Sequence, residues 1–148
     1  MAGDFEADGI GFSLIRRYDL SVSAGNGLLA VDGAEKDRLA FSNAWLSKMG
    51  IAADLAALVS VRGDSMAPTI PDGSTVLVDA RQKDVTSGGI FAFTFDGEVF
   101  VKRLTAGKGA TAISMTSDNP AYPPRVLVGH EIKQLRIAGR VRLVIAPL

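Results

Sequence analysis

The sequence predicts a mainly β single domain of short twisted strands with one or two short helices. Three observations carry this expectation. Downstream of Gly50 the chain breaks into short runs of β-branched and aromatic residues separated by Gly, Pro, Asp and Asn, the pattern of strands joined by tight turns. Phe91, Phe93 and Phe95 alternate up to Asp96-Gly97, and Val99 to Leu104 returns from it, the signature of a two-residue hairpin. Leu135, Ile137, Val141, Leu143 and Ile145 alternate with Arg136, Arg140 and Arg142, so the closing strand should bury one face and lie at a sheet edge or pair with a partner chain.

The 148 residues, 47% of them hydrophobic, suffice for one sizeable core and are too few for two. Residues 1–13 carry Asp4, Glu6 and Asp8 and no base, and read as a solvated arm or an expression remnant; residues 14–148 are then the folded domain. Phe12 to Val22 has the apolar spacing of an extended segment. Ser23-Ala24-Gly25-Asn26-Gly27 follows as a loop of small residues, within a stretch of about residues 21–30. Ala34 to Met49 has helix-forming composition, with Leu39, Trp45, Leu46 and Met49 for a buried face and Gly50 as a stop, so one or two helical turns are expected there. The Asp96-Gly97 turn also fixes a register: Phe95 faces Glu98, Phe93 faces Phe100 and Phe91 faces Lys102, while Phe100, Lys102 and Leu104 share one face of their strand. A lysine therefore sits among aromatic neighbours.

Composition narrows the chemistry. Sixteen basic residues balance sixteen acidic ones, which gives no general attraction for phosphate backbones. Cysteine is absent and His130 is the single histidine, so disulfides, thiolate catalysis and a multi-histidine metal site are not expected, and no cofactor is implied. The longest apolar stretches, such as Ile51 to Val61 with Asp54 inside it, fall short of the about 20 residues that span a bilayer. No secretory leader is evident, which makes the cytoplasm the expected compartment.

A serine hydroxyl needs a base to become a nucleophile, and histidine is the usual one. Nothing in the spacing links His130 to a serine. A lysine serves instead if burial among apolar groups keeps it neutral, and Lys102 has that setting, although a strand lysine ordinarily reaches to solvent along its stem. The candidate nucleophile lies in Val61-Arg62-Gly63-Asp64-Ser65-Met66-Ala67-Pro68-Thr69-Ile70. Gly63 lets the backbone bend, and Pro68 suits the first turn of a short helix with Ser65 at its N-terminus; such a serine by itself is as fit for a helix cap. Arg62-Gly63-Asp64 spells an integrin-binding tripeptide, and Gly63-Asp64-Ser65 is similar to the opening of GDSL-type esterases. The first recurs by chance, and the second lacks its partner Asp-x-x-His here.

Gly63-Asp64-Ser65-Met66-Ala67-Pro68-Thr69-Ile70 with Asp72-Gly73 and Val76 to Asp79, then Gly97-Glu98 and Val101-Lys102-Arg103-Leu104, resembles the LexA and phage-repressor family of Ser/Lys autopeptidases. The resemblance extends to Ser117-Asp118-Asn119-Pro120-Ala121-Tyr122 and to Ile137-Ala138-Gly139-Arg140-Val141, and so covers roughly residue 14 to the C-terminus. It implies a LexA-like peptidase domain in which Lys102 takes the proton of Ser65, Ser65 attacks Ala24, and the backbone N–H groups of Asp64 and Ser65 hold the oxyanion. The substrate would be the protein's own Ala24–Gly25 bond. It further implies a symmetric homodimer, a RecA filament on single-stranded DNA as inducing co-protease in a DNA-damage response, and operator DNA bound only through an N-terminal helix-turn-helix domain that this sequence lacks. Phe41, Trp45, Leu46 and the Asn119–Pro124 stretch look closer to a trimmed phage-type repressor than to the naturally short UmuD-like polymerase accessories. Two other functions compete: a dimerisation module whose loop never docks, and a peptidase acting in trans.

Overall fold

In a computed structural model, the described residues are 3–19, 35–107, 109 and 111–148, and they form a mostly β domain, as the residue pattern predicts. Ten strands occur in chain order: β1 (Gly3–Ala7), β2 (Ile10–Asp19), β3 (Glu35–Ser42), β4 (Ala56–Ser60), β5 (Thr75–Asp79), β6 (Gly89–Phe95), β7 (Glu98–Ala106), β8 (Ala112–Thr116), β9 (Arg125–Val128) and β10 (Leu135–Ile145). Two short helices, α1 (Asn43–Met49) and α2 (His130–Lys133), and a 3-10 turn at Ala53–Leu55 complete the set. The sheet runs β1-β2-β4-β5-β10-β6-β7-β8-β9, with β3 also on β2. No helix among the described residues is long and apolar enough to cross a membrane.

The β6–β7 hairpin has the register that its turn dictates. Asp96 and Gly97 both take positive φ, 50° and 82°, as a tight hairpin turn that follows the strand twist requires. Phe95 then faces Glu98, Phe93 faces Phe100 and Phe91 faces Lys102. Phe91, Phe93 and Leu104 are fully buried in one cluster that Phe100 also joins. The opposite face of the hairpin sends Ala92 and Val101 into a second cluster with Val59, Met66, Ile70, Val76 and Val78.

Three segments differ from their sequence expectation. Residues 3–7 are a strand rather than a bare arm, paired with β2 through Asp8-Gly9, whose φ values of 53° and 76° repeat the turn chemistry of the later hairpin. The N-terminal half of the expected helical segment is β3: the main-chain ladder to β2 and the two-pronged ion pair of Arg17 with Asp37, at 2.6 and 2.7 Å, outweigh helical composition. The helix is confined to α1, where the Ser42 hydroxyl accepts the Trp45 N–H and Gly50, at φ 69°, stops it; Leu46 is its buried anchor, with Leu39, Trp45 and Met49 packed beside it. The closing strand β10 is not at an edge. Its first half pairs with β6 and its second half with β5, so it joins the two halves of the sheet.

That junction is tight. Gly139 lies against Asp79, and a Cβ there would come within 2.3 Å of the Asp79 carbonyl oxygen. The Asp79 carboxylate is itself fully buried and accepts from Arg142 at 3.2 Å, from Gln82 at 3.3 Å and from the Arg81 amide at 3.0 Å. Gly139→Ala should therefore destabilise the fold by about 1–3 kcal/mol through overpacking, measured as a lower denaturant midpoint in equilibrium unfolding; an unchanged midpoint would show that the junction yields.

Candidate functional site

Ser65 stands on the loop that connects β4 to β5. The neck of this loop is closed by Val61 N–H to Ser74 C=O at 2.8 Å and Gly73 N–H to Val61 C=O at 3.0 Å, and its rise is held by the Gly63 N–H on Asp72 Oδ1 at 2.7 Å. Met66 and Ile70, 1% and 0% exposed, plug it into the core; burial of such side chains stabilises by roughly 1.5–3 kcal/mol each. The loop is a series of turns rather than a helix start. The Ser65 carbonyl accepts the Asn119 N–H at 3.0 Å, and the Asp64 carbonyl accepts both Asn119 Nδ2 and, in a turn, the Ala67 N–H, each at 3.0 Å, so Ser65 starts no regular helical ladder. Among the described residues no partner accepts from the N–H groups of Asp64 and Ser65.

Residues 117–122 brace this loop from the far side. Asp118 takes a two-pronged bond from Arg103, both arms 2.8 Å, and accepts the Thr69 hydroxyl at 2.6 Å; its N–H meets Met66 Sδ at 3.3 Å. Hydrogen bonding to Arg103 holds the Asp118 carboxyl below its ordinary range. The Tyr122 hydroxyl donates to Asp64 Oδ1 at 2.5 Å, and this bond to a carboxylate raises the phenol above its ordinary range.

A pocket of about 330 Å³ opens between the loop and the hairpin. Ser65 and Lys102 both line it, together with Arg62, Asp64, Phe100 and Tyr122. Lys102 projects from β7 opposite the buried Phe91. Its Nζ lies 5.6 Å from the centre of the Tyr122 ring and donates to Ser117 Oγ at 2.7 Å. Desolvation by burial lowers the Lys102 amine below the ordinary lysine range. Ser65 Oγ has no hydrogen-bond partner among the described residues, so serine and lysine share the pocket without a direct bond, a looseness common in sites that tighten on their substrate. His130 begins α2 and does not line the pocket. Ala24 and Gly25 lie outside the described residues. Among the described residues no group of three or more acidic or histidine side chains is placed to hold a metal ion.

Ser117 and the bracing roles of Asp118, Asn119 and Tyr122 are not evident from residue spacing alone. The available signal was positional: the β7–β8 ladder ends with Arg103 opposite Thr116, and one further step sets Ser117 across from Lys102.

A family model described as Peptidase S24-like matches residues 15–142, and the chain belongs to that family. It is 33% identical over 138 residues to an uncharacterized HTH-type transcriptional regulator of Haemophilus influenzae, covering 88% of this chain and 55% of that protein. It is 39% identical over 92 residues to the HTH-type transcriptional regulator PrtR of Pseudomonas aeruginosa, covering 60% of this chain and 36% of PrtR. Over 84 residues it is 36% identical to the 26 kDa repressor protein of Escherichia phage HK022, covering 57% and 35%. The chain thus spans between about a third and a half of the length of these relatives.

The bracing makes a local prediction. Asn119→Ala removes the side-chain bond to the Asp64 carbonyl, and at about 1 kcal/mol for such a bond amide exchange at Ala67 and Ile70 should accelerate about fivefold while β4 and β5 exchange as before. Equal protection in both proteins, read by hydrogen–deuterium exchange, would refute the brace.

Proposed function

We propose that this chain is the C-terminal domain of a transcriptional repressor that inactivates itself by cleaving its own Ala24–Gly25 bond, with Ser65 as nucleophile and Lys102 as base. The observation that carries this reading is the shared pocket, in which the lysine meets the serine loop under conditions that favour its neutral form. The names of the relatives, HTH-type regulators and phage repressors, support a regulatory setting. DNA would be bound by a separate helix-turn-helix domain, the working form would be a homodimer, and a DNA-damage signal through a RecA filament is the inducer that the family resemblance suggests.

In this reaction the Ser65 O–H bond breaks, the proton passes to the lone pair of neutral Lys102, and the freed electron pair of Oγ bonds to the Ala24 carbonyl carbon. The unpartnered amides of Asp64 and Ser65 are suited to the developing oxyanion. The proton then moves to the Gly25 nitrogen as the Ala24–Gly25 bond breaks, and water hydrolyses the remaining ester. β2 ends at Asp19, whose carboxylate meets Arg62 of the pocket rim at 3.3 Å, and the five residues from there to Ala24 extend up to about 17 Å. Attack within one chain also gains effective molarity that a plain serine otherwise lacks.

Because burial disfavours the ammonium, the neutral fraction grows as pH rises through the lowered Lys102 pKa and is complete above it. Cleavage should accelerate through that window and then level off. Folding follows the same sign: the unfolded chain binds the extra proton between the lowered and the ordinary lysine range, so the Lys102 contribution to stability improves as pH rises through that interval. Intact-mass analysis during alkaline incubation should show fragments ending at Ala24 and beginning at Gly25. Ser65→Ala and Lys102→Ala should each slow their appearance by at least about 100-fold. A folded parent that remains whole across the alkaline range would contradict self-cleavage and leave a dimerisation module as the better account.

A further inference from the structure

Ser117 is a buried serine, 9% exposed, just beyond β8. The β7–β8 register carries it to the position across from Lys102, and its hydroxyl accepts the Lys102 Nζ donor at 2.7 Å. Among the described residues neither side chain has another hydrogen-bond partner. On the other flank of Lys102 stands Phe91, which offers none. We propose that Ser117 is a positioning residue for the Ser65–Lys102 reaction: it holds one N–H of Lys102 so that the amine's lone pair is left for the Ser65 proton. The inference rests on the self-cleavage reading above.

The argument is one of valence. A neutral amine has two N–H bonds and one lone pair, and a lysine amine on its four-carbon stem can rotate all three among many directions. A base must present the lone pair and not an N–H to its substrate proton. With one N–H fixed on Ser117 and the Tyr122 ring 5.6 Å from Nζ, the amine stands in the pocket that Ser65 also lines. After proton transfer the group is an ammonium with three N–H donors, and the bond to Ser117 becomes the stronger, charge-assisted kind. Ser117 therefore also stabilises the charged form and offsets part of the desolvation.

These two actions separate Ser117 from a packing residue. Ser117→Ala should lower the plateau rate of self-cleavage about tenfold or more, and should move the midpoint of the pH profile down by about half to one pH unit, because the ammonium has lost a hydrogen bond. A packing defect that admitted water would instead move the midpoint up. Arg62, Asp64 and Tyr122 of the pocket, and the Arg103–Asp118 pair beside it, are common to both proteins, so the difference reports Ser117.

The experiment measures cleavage of the whole chain across the alkaline range for the parent, Ser117→Ala and Ser117→Thr. In parallel, the Lys102 13Cε resonance is titrated in a Ser65→Ala background with and without Ser117→Ala. A slower plateau, a lower midpoint in both assays, and recovery of both by threonine support the proposal. A parent-like plateau and midpoint in Ser117→Ala overturn it, as does a slow variant whose midpoint stays or rises. If Ser117→Ala unfolds, the threonine variant decides: it must match the parent in plateau and midpoint, and a departure overturns the proposal. A parent that does not cleave at all defeats the self-cleavage reading itself, while an unmoved 13Cε midpoint defeats the Ser117 contact independently of cleavage.

Discussion

Two consecutive residues in positive φ, Asp96 and Gly97, set the register of the β6–β7 hairpin, and the chemistry of the pocket depends on that register. A strand alternates its faces with a period of two, so a slip by one residue would exchange them all. Lys102 would then enter the aliphatic cluster now occupied by Val101. With the observed register, Phe91 lies across from Lys102 on one side and Ser117 follows on the other. The same strand thus supplies a core residue, a desolvated amine and, through Arg103, a clamp on Asp118.

The serine loop answers a different constraint. In the proposed reaction its amides must stay unpaired to receive an oxyanion, yet a loop with unpaired backbone donors has little reason to keep one shape. Anchors on either side of Ser65 resolve this. Met66 and Ile70 plug the loop into the core, while Asn119 takes the carbonyls of Asp64 and Ser65 and leaves their N–H groups open. The donors are preserved because the acceptors are the groups that pair.

Hairpin geometry was legible in the sequence because alternation and turn chemistry coincide at Phe91 to Leu104. The same Asp-Gly chemistry at Asp8-Gly9 was not, since residues 3–7 expose nearly every side chain and so lack the apolar alternation that marks a strand. β3 was hidden by its own composition: Glu35 to Ser42 favours a helix locally, and only the ladder to β2 and the Arg17–Asp37 pair make it a strand. The β10 alternation pointed to one apolar face, but register shifts at Ile137/Gly139 and Val141/Leu143 send Val141 to one core cluster and Leu143 to another, and periodicity carries no information about how many neighbours pair with a strand's edges. Ser65 and Lys102 stood out by residue type and family pattern, whereas Ser117 acquires meaning only once β8 is laid beside β7.

The acids near the pocket are disposed so as not to undo the burial of Lys102. A free carboxylate beside the amine would favour the ammonium and keep the base protonated. Asp118 is instead committed to Arg103 and Thr69, and Asp64 to the Tyr122 hydroxyl. Desolvation is accordingly the cause behind the lowered Lys102 pKa. Because its bond to Asp64 raises the Tyr122 phenol, that bond persists further into the alkaline range in which the lysine loses its proton. A neutral hydroxyl at Ser117 completes the arrangement: unlike a carboxylate, it can orient the amine while raising its basicity only slightly. In the proposed reading, burial favours the neutral form of Lys102, and Ser117, which carries no charge, gives the amine its direction.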